Sequence, residues 1–254
     1  MTVRQCPGIR VEAEHGTVVQ DAVVVEEPIA LYLNDEFVTE LVASPANLED
    51  LGAGFVVDEG LAQSILSVRA SPGVVRVYAR SVVRRKWRIE SSGGIGALNT
   101  VPQVNSTITL TAEHVLAVIN ETASELWRQT GAVHCSVLFL EDRLVVKRVD
   151  VGRHNTIDKV VGFAILNQID LSRCIIGCTG RQPSGMVSKV ANAGVPVIVS
   201  KAAPTYNGIL TANDAGITLI CFARGNRFTI YTHPHRIRDL SGEATTGAMK
   251  CGGS

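Results

Sequence analysis

The stretch from Cys174 to Val199 constrains this chain more than any other. A strand-like run, Cys174-Ile175-Ile176-Gly177, is followed by helical spacing over Ser184 to Ala193 and then by Val195-Pro196-Val197-Ile198-Val199. That pattern is a β-α-β crossover, which sets two parallel strands in one sheet. The alternation continues with a helix over Thr205 to Ala215, a strand from Ile217 to Phe222, a turn at Arg224-Gly225-Asn226 and a strand from Phe228 to Tyr231. Upstream, Val133 to Leu140 and Arg143 to Val149 predict a hairpin about Glu141-Asp142, although no turn glycine is present. The fold class is therefore α/β.

The first half is richer in short strands. Leu31 to Val38 reads as two strands about an Asn34-Asp35 turn, stopped by Ser44-Pro45. A helix follows, with Asn47 as its cap, Leu48, Leu51, Phe55 and Val56 on one face, and Gly60 at its end. Glu59 lies where the helix dipole disfavours a carboxylate and is expected in solvent, with a partner elsewhere as the alternative. A single helix is expected over Thr111 to Arg128, followed by Gly131. These readings divide the chain into an N-terminal extension (1–27), a smaller β-rich N-terminal subdomain (28–110), an α/β subdomain (111–240) and a flexible tail (241–254).

Three patterns carry candidate chemistry. Asp150-Val151-Gly152-Arg153-His154-Asn155-Thr156-Ile157-Asp158-Lys159 packs five ionisable side chains and a glycine into a strand-to-helix junction. It reads either as a solvated turn capped by Asn155, with Asp158 three residues on, or as a ligand site in which Arg153 meets an anion. From Arg69 to Arg88 stand Arg69, Arg76, Arg80, Arg84, Arg85, Lys86 and Arg88 with no acidic residue, either a solvated face or a phosphate-binding edge. Ser91 to Ala97 is a glycine-rich loop, but no Gly-Lys-Ser/Thr follows it, so it is not a phosphate-binding loop of that kind.

Twenty-four basic residues balance 24 acidic ones, so no global field draws the chain to nucleic acid or anionic membranes. Apolar runs stop well short of the roughly 18 residues that span a bilayer, and no secretory pattern opens the chain; a cytoplasmic protein is expected. The cysteines at 6, 135, 174, 178, 221 and 251 form no Cys-x-x-Cys, which argues against structural zinc.

Asp150 to Lys159 belongs to a set of spaced blocks with Asn47 to Phe55 plus Glu59-Gly60, Thr130-Gly131-Ala132-Val133-His134, and Thr179-Gly180-Arg181 with Met186-Val187. Over residues 28–237 the chain resembles the FdhD family of formate dehydrogenase accessory proteins. The resemblance implies a cytidine-deaminase-like α/β core, a homodimer, and a sulfur carrier that takes sulfur from a cysteine desulfurase. It delivers that sulfur to the molybdenum cofactor, a bis-molybdopterin guanine dinucleotide, before the cofactor enters formate dehydrogenase. The likeness to deaminases is one of fold, since no His-x-Glu with a later Pro-Cys-x-x-Cys occurs.

By the same resemblance the cofactor-binding stretch falls on Phe222, Ala223, Arg224, Gly225, Asn226 and Arg227. Read from its residues alone, that stretch is a hairpin turn. His134, Arg153, His154 and Arg181 are further candidate contacts, with a satisfied core histidine as the alternative for His134. The family's reactive Cys-Gly-x-Cys-Gly falls on Gly93-Gly94-Ile95-Gly96-Ala97, so Gly93 and Gly96 stand where its two thiols would be. Glycine carries no nucleophile. Cys178, at a strand end before Thr179-Gly180-Arg181, is the candidate substitute thiol; the alternative is a buried small residue. Two functions remain open: a sulfur carrier working through such a thiol, and a cofactor-binding chaperone that has lost sulfur transfer.

Overall fold

The computed structural model describes residues 2–80, 87–89, 95–97 and 101–240. Gly93 and Gly94, Arg84 to Lys86 and the tail at 241–254 with Cys251 lie outside the described residues. Strands run β1 (Val3–Glu12), β2 (His15–Val24), β3 (Glu27–Leu33), β4 (Glu36–Ala43), β5 (Ser64–Ser71), β6 (Val74–Arg80), β7 (Trp87–Ile89), β8 (Ile95–Ala97), β9 (His134–Leu140), β10 (Arg143–Asp150), β11 (Cys174–Cys178), β12 (Val197–Ser200), β13 (Thr218–Arg224) and β14 (Arg227–Ile230). Helices are α1 (Leu48–Asp58), α2 (Ala112–Asn120), α3 (Glu125–Thr130), α4 (Arg153–Leu166), α5 (Ser184–Asn192) and α6 (Tyr206–Ala215). None of these helices is long and apolar enough to cross a membrane.

The larger sheet has the order β10-β9-β11-β12-β13-β14, with β11, β12 and β13 parallel and β9 antiparallel to β11. Its strands are apolar on both faces because both faces are covered. Cys174, Ile176, Cys178, Ile198 and Leu219 pack on the side of α4, α5 and α6. Ile175, Val197, Val199 and Ile220 pack on the side of α2. The mixed α/β class is as expected, and each β-α-β step was legible from its run of apolar residues.

A four-stranded sheet, β4-β3-β6-β5, packs Ile29, Leu31, Val75 and Val77 beneath Leu51 and Phe55 of α1. Helix α1 in turn lies directly on α4. A Cβ built on Gly162 would sit 1.8 Å from the Asp50 carbonyl oxygen, and one on Gly54 would sit 1.8 Å from that of Asp158. Only glycine permits this contact of backbone on backbone. Strands β1 and β2 pair as a separate ribbon for which the sequence offered no reading.

Four expectations need correction. The helix over Thr111 to Arg128 is two helices, because Ser124 accepts a hydrogen bond from the Trp127 N–H and caps α3. Asn47 precedes α1 in a left-handed conformation, φ 53°, with no side-chain cap bond. Asn155 lies inside α4; the residue at the cap is Gly152, whose N–H donates to Asp150 Oδ1 at 2.9 Å. Glu59 is 4 % exposed and pairs with Lys189 at 2.7 Å. The hairpin at Glu141 forms without glycine because Glu141 itself takes φ 54°, its carboxylate held by Arg173 at 2.6 Å.

Candidate functional site

Parallel strands β11 and β12 end side by side at Cys178 and Ser200, β13 runs on to Arg224, and antiparallel β9 begins beside them at His134. This carboxyl-end edge is where α/β sheets present groups to ligands. Asp150, register partner of His134, closes β10 at the same end and leads into α4. His134, Arg153, His154, Arg181 and the turn from Phe222 to Arg227 therefore converge on one edge, though not in one cavity.

The charged block at Asp150 to Lys159 divides in two. Asp150 is fully buried: its Oδ2 lies 2.5 Å from the Lys159 ammonium and accepts from the Ser44 N–H at 3.1 Å, and its Oδ1 accepts from Asn155 Nδ2 at 2.8 Å. Asn155 Nδ2 also donates to the Val42 carbonyl, and Lys159 to that of Ser44. Asp158 pairs with Lys189 at 2.8 Å. These side chains fasten the smaller sheet to the larger one. Their density comes from a buried ion-pair network, in which Lys159 answers Asp150 and Lys189 answers Asp158.

Arg153 and His154 face different ways. The stem of Arg153 lies against Gly180, where a Cβ would come within 2.9 Å of Arg153 Cβ. Burial, and then Arg181, lower the Arg153 pKa, so two guanidinium groups share this corner of the edge. His154 is 5 % exposed and its Nε2 has no hydrogen-bond partner among the described residues. Burial first, and then Lys189, Arg153 and His134, push its pKa down to about 3. It is a neutral interior histidine.

A pH dependence follows. Below about 6.5 the unfolded chain protonates this imidazole, whereas the native protein leaves it neutral until about 3. Proton uptake thus favours unfolding, and His154 alone should remove about 2 kcal/mol of stability between pH 7 and 5. In urea unfolding at the two pH values, His154→Gln should lose correspondingly less than the wild type; an equal loss would refute the assignment.

His134 starts β9 half-buried, its Nδ1 3.2 Å from Thr179 Oγ1, and burial followed by Arg153 and Arg181 lowers its pKa. It borders a cavity of about 610 Å³ between α3 and the strand ends, lined also by Trp127, Arg128, Thr179 and Lys201. Of those four, only Thr179 belonged to a block singled out from the sequence. Lys201 follows β12 directly, a position at the carboxyl end of a parallel strand that could have been read. Trp127 could not, because its place depends on the break between α2 and α3.

The Phe222 to Arg227 turn stands two strands from β11, roughly 10 Å along the edge. Its ladder is irregular between Cys221 and Arg224, and Phe222 takes φ 54°. Arg224 and Arg227 are register partners at the hairpin end and line a hollow of about 270 Å³ with Phe222, Phe228 and Thr229. Two like charges directly opposite repel. Among the described residues neither has a carboxylate partner, and both are exposed. Gly225 and Asn226 are exposed between them, and Ala223 is buried beneath.

The thiols of the larger sheet are buried, Cys178 at the strand-end edge and Cys135 against the cavity included. Cys178 is 1 % exposed, accepts a hydrogen bond from Gln182 Nε2, and burial pushes its pKa up to about 11. Burial raises Cys135 to about 11 and Cys174 to about 12, and Cys221 is shifted up likewise. None has the thiolate character that attack on sulfur needs. Gly96 lies in β8 opposite Arg88.

Residues 24–238 match the model of the FdhD/NarQ family. Similar proteins include the sulfur carrier protein FdhD of Wolinella succinogenes, 32 % identical over 86 % of this chain and 83 % of the relative. That of Bacillus subtilis is 33 % identical over 87 % and 92 %. Among solved structures, a putative formate dehydrogenase accessory protein from Desulfotalea psychrophila superposes with a TM-score of 0.79 at 28 % identity, covering 93 % of this chain and all of its own.

Proposed function

The chain belongs to the FdhD/NarQ family, and from that premise we propose that it serves a formate dehydrogenase as an accessory protein, holding the enzyme's molybdenum cofactor before insertion. The cargo is a bis-molybdopterin guanine dinucleotide, whose pyrophosphates lie against the strand-end edge. The observation that carries this reading is the pair Arg224 and Arg227, opposed on adjacent strands with no carboxylate of their own among the described residues. Guanidinium groups so placed suit phosphate oxygens, and the exposed glycine turn adds backbone N–H donors. Arg181 extends the row of cations toward His134.

Sulfur transfer from a cysteine desulfurase is a second reading, favoured by what the relatives are named. It needs a thiol at the edge, and the four thiols of the larger sheet are buried and protonated. Binding is thus the better supported half of the function.

Complementation tests it. Expressed in a cell lacking its own family member, this chain should restore formate dehydrogenase activity, Cys178→Ala should restore it equally, and the Arg224→Ala/Arg227→Ala double variant should lose most of it. No restoration by the wild type would sink the proposal, while loss in Cys178→Ala alone would return sulfur transfer to first place.

A further inference from the structure

The cavity beside α3 has a makeup of its own. Lys201 reaches it half-buried, and among the described residues its ammonium has no hydrogen-bond or ion-pair partner. A cation partly withdrawn from water without a counter-charge is unfavourable until an anion arrives. Trp127, which also lines the cavity, is 56 % exposed. An indole left so open at the mouth of a cavity offers a flat apolar surface to a ring. The His134 imidazole lines the same cavity, its Nδ1 engaged with Thr179 Oγ1 at 3.2 Å and its Nε2 left to a guest. Thr122, Ala123 and Ser124, the residues of the break between α2 and α3, line it as well.

Lys201 also stands next to the hairpin turn. The Phe222 N–H donates to the carbonyl of Ala202, the residue after Lys201, at 3.1 Å, and β12 and β13 are adjacent strands. Cavity and turn are therefore neighbours on one edge.

We propose that this cavity receives a planar heteroaromatic ring bearing a phosphate, the ring against Trp127 and the phosphate on Lys201, so that cavity and turn hold opposite ends of one ligand. This deepens the cofactor-binding reading and rests on it: the pterin end occupies the cavity and the guanine nucleotide end the turn. The size suits the assignment, since about 610 Å³ accommodates a bicyclic ring with its substituents.

The test is calorimetric titration of the full chain with three probes: 6-hydroxymethylpterin, its diphosphate, and GDP. Lys201→Ala should weaken the pterin diphosphate by about tenfold to a hundredfold, as expected for a charge-assisted contact, and leave the unphosphorylated pterin unchanged. Lys201→Arg should keep most of the affinity. Trp127→Ala should weaken both pterins and leave GDP binding at the wild-type level, its unfolding midpoint reporting that the fold is intact. If the wild type binds GDP but neither pterin, or if both alanine variants bind the pterin diphosphate as the wild type does, this inference fails and the cofactor-binding reading stands. If the wild type binds none of the three, both fall.

Discussion

Lys189→Met is expected to lower the free energy of unfolding by about 3–5 kcal/mol, the range for removing one partner of a buried ion pair. Its ammonium lies 2.7 Å from Glu59 and 2.8 Å from Asp158, over the face of Phe55 at 4.9 Å. Asp58 is buried beside the same group, its pKa raised well above the ordinary carboxylate value by burial first and then by Asp158. Three carboxyl groups from α1, its C-terminal end and α4 thus share one cation. Methionine would keep much of the volume and delete the charge.

The loss should depend on pH in a definite direction. Without Lys189 the buried carboxyls ionise less readily, so the native variant retains protons that its unfolded chain releases above about 3.8. Stability then falls as pH rises from about 4, and the deficit against wild type should be smaller at pH 5 than at pH 8. Urea unfolding at both values decides the matter; a deficit independent of pH would mean that lost packing, rather than uncompensated charge, is the cause.

Gly162→Ala should be comparably damaging, by about 3 kcal/mol or more, at the upper end of what overpacking produces. The added methyl group would lie 1.8 Å from the Asp50 carbonyl oxygen and 2.7 Å from the Gly54 nitrogen. Those atoms are backbone and cannot rotate aside. Helices α1 and α4 would have to separate, loosening the Arg148–Asp50 pair now at 2.8 Å as well. A free energy of unfolding within about 1 kcal/mol of wild type would show that the helices have room which their contact denies.

The larger sheet was legible because its signals are local. Cys174 to Gly177 and Val195 to Val199 are short apolar runs separated by one helix, and that pattern has few other readings. The break after Asn120 carried a signal too. Ser124 followed by Glu125 marks a helix start, yet the apolar spacing from Val115 to Leu126 outweighed it. The candidate site was legible at its ends: His134 and the turn at Arg224 to Arg227 do lie on one strand-end edge. Its middle was not, because Lys201 and Trp127 line one cavity only through the order of the sheet and the break before α3. The charged block misled for a physical reason. Asp158 finds its partner in Lys189, and Asp150 and Lys159 find theirs in each other and in Ser44, far away in the chain; a sequence does not distinguish a charge that faces a ligand from one that faces a buried counter-ion.

The interruption between α2 and α3 has one more consequence. Four residues, 121–124, turn the chain aside, and Lys147 donates to the Ala123 carbonyl to hold that corner against β10. Had the helix run straight on, Trp127 would stand several residues farther along its axis and the hollow beside Lys201 would lose a wall. On the proposed reading, specificity is written partly in punctuation: an insertion or deletion at 121–124 would reshape the cavity while Trp127, His134 and Lys201 stay as they are.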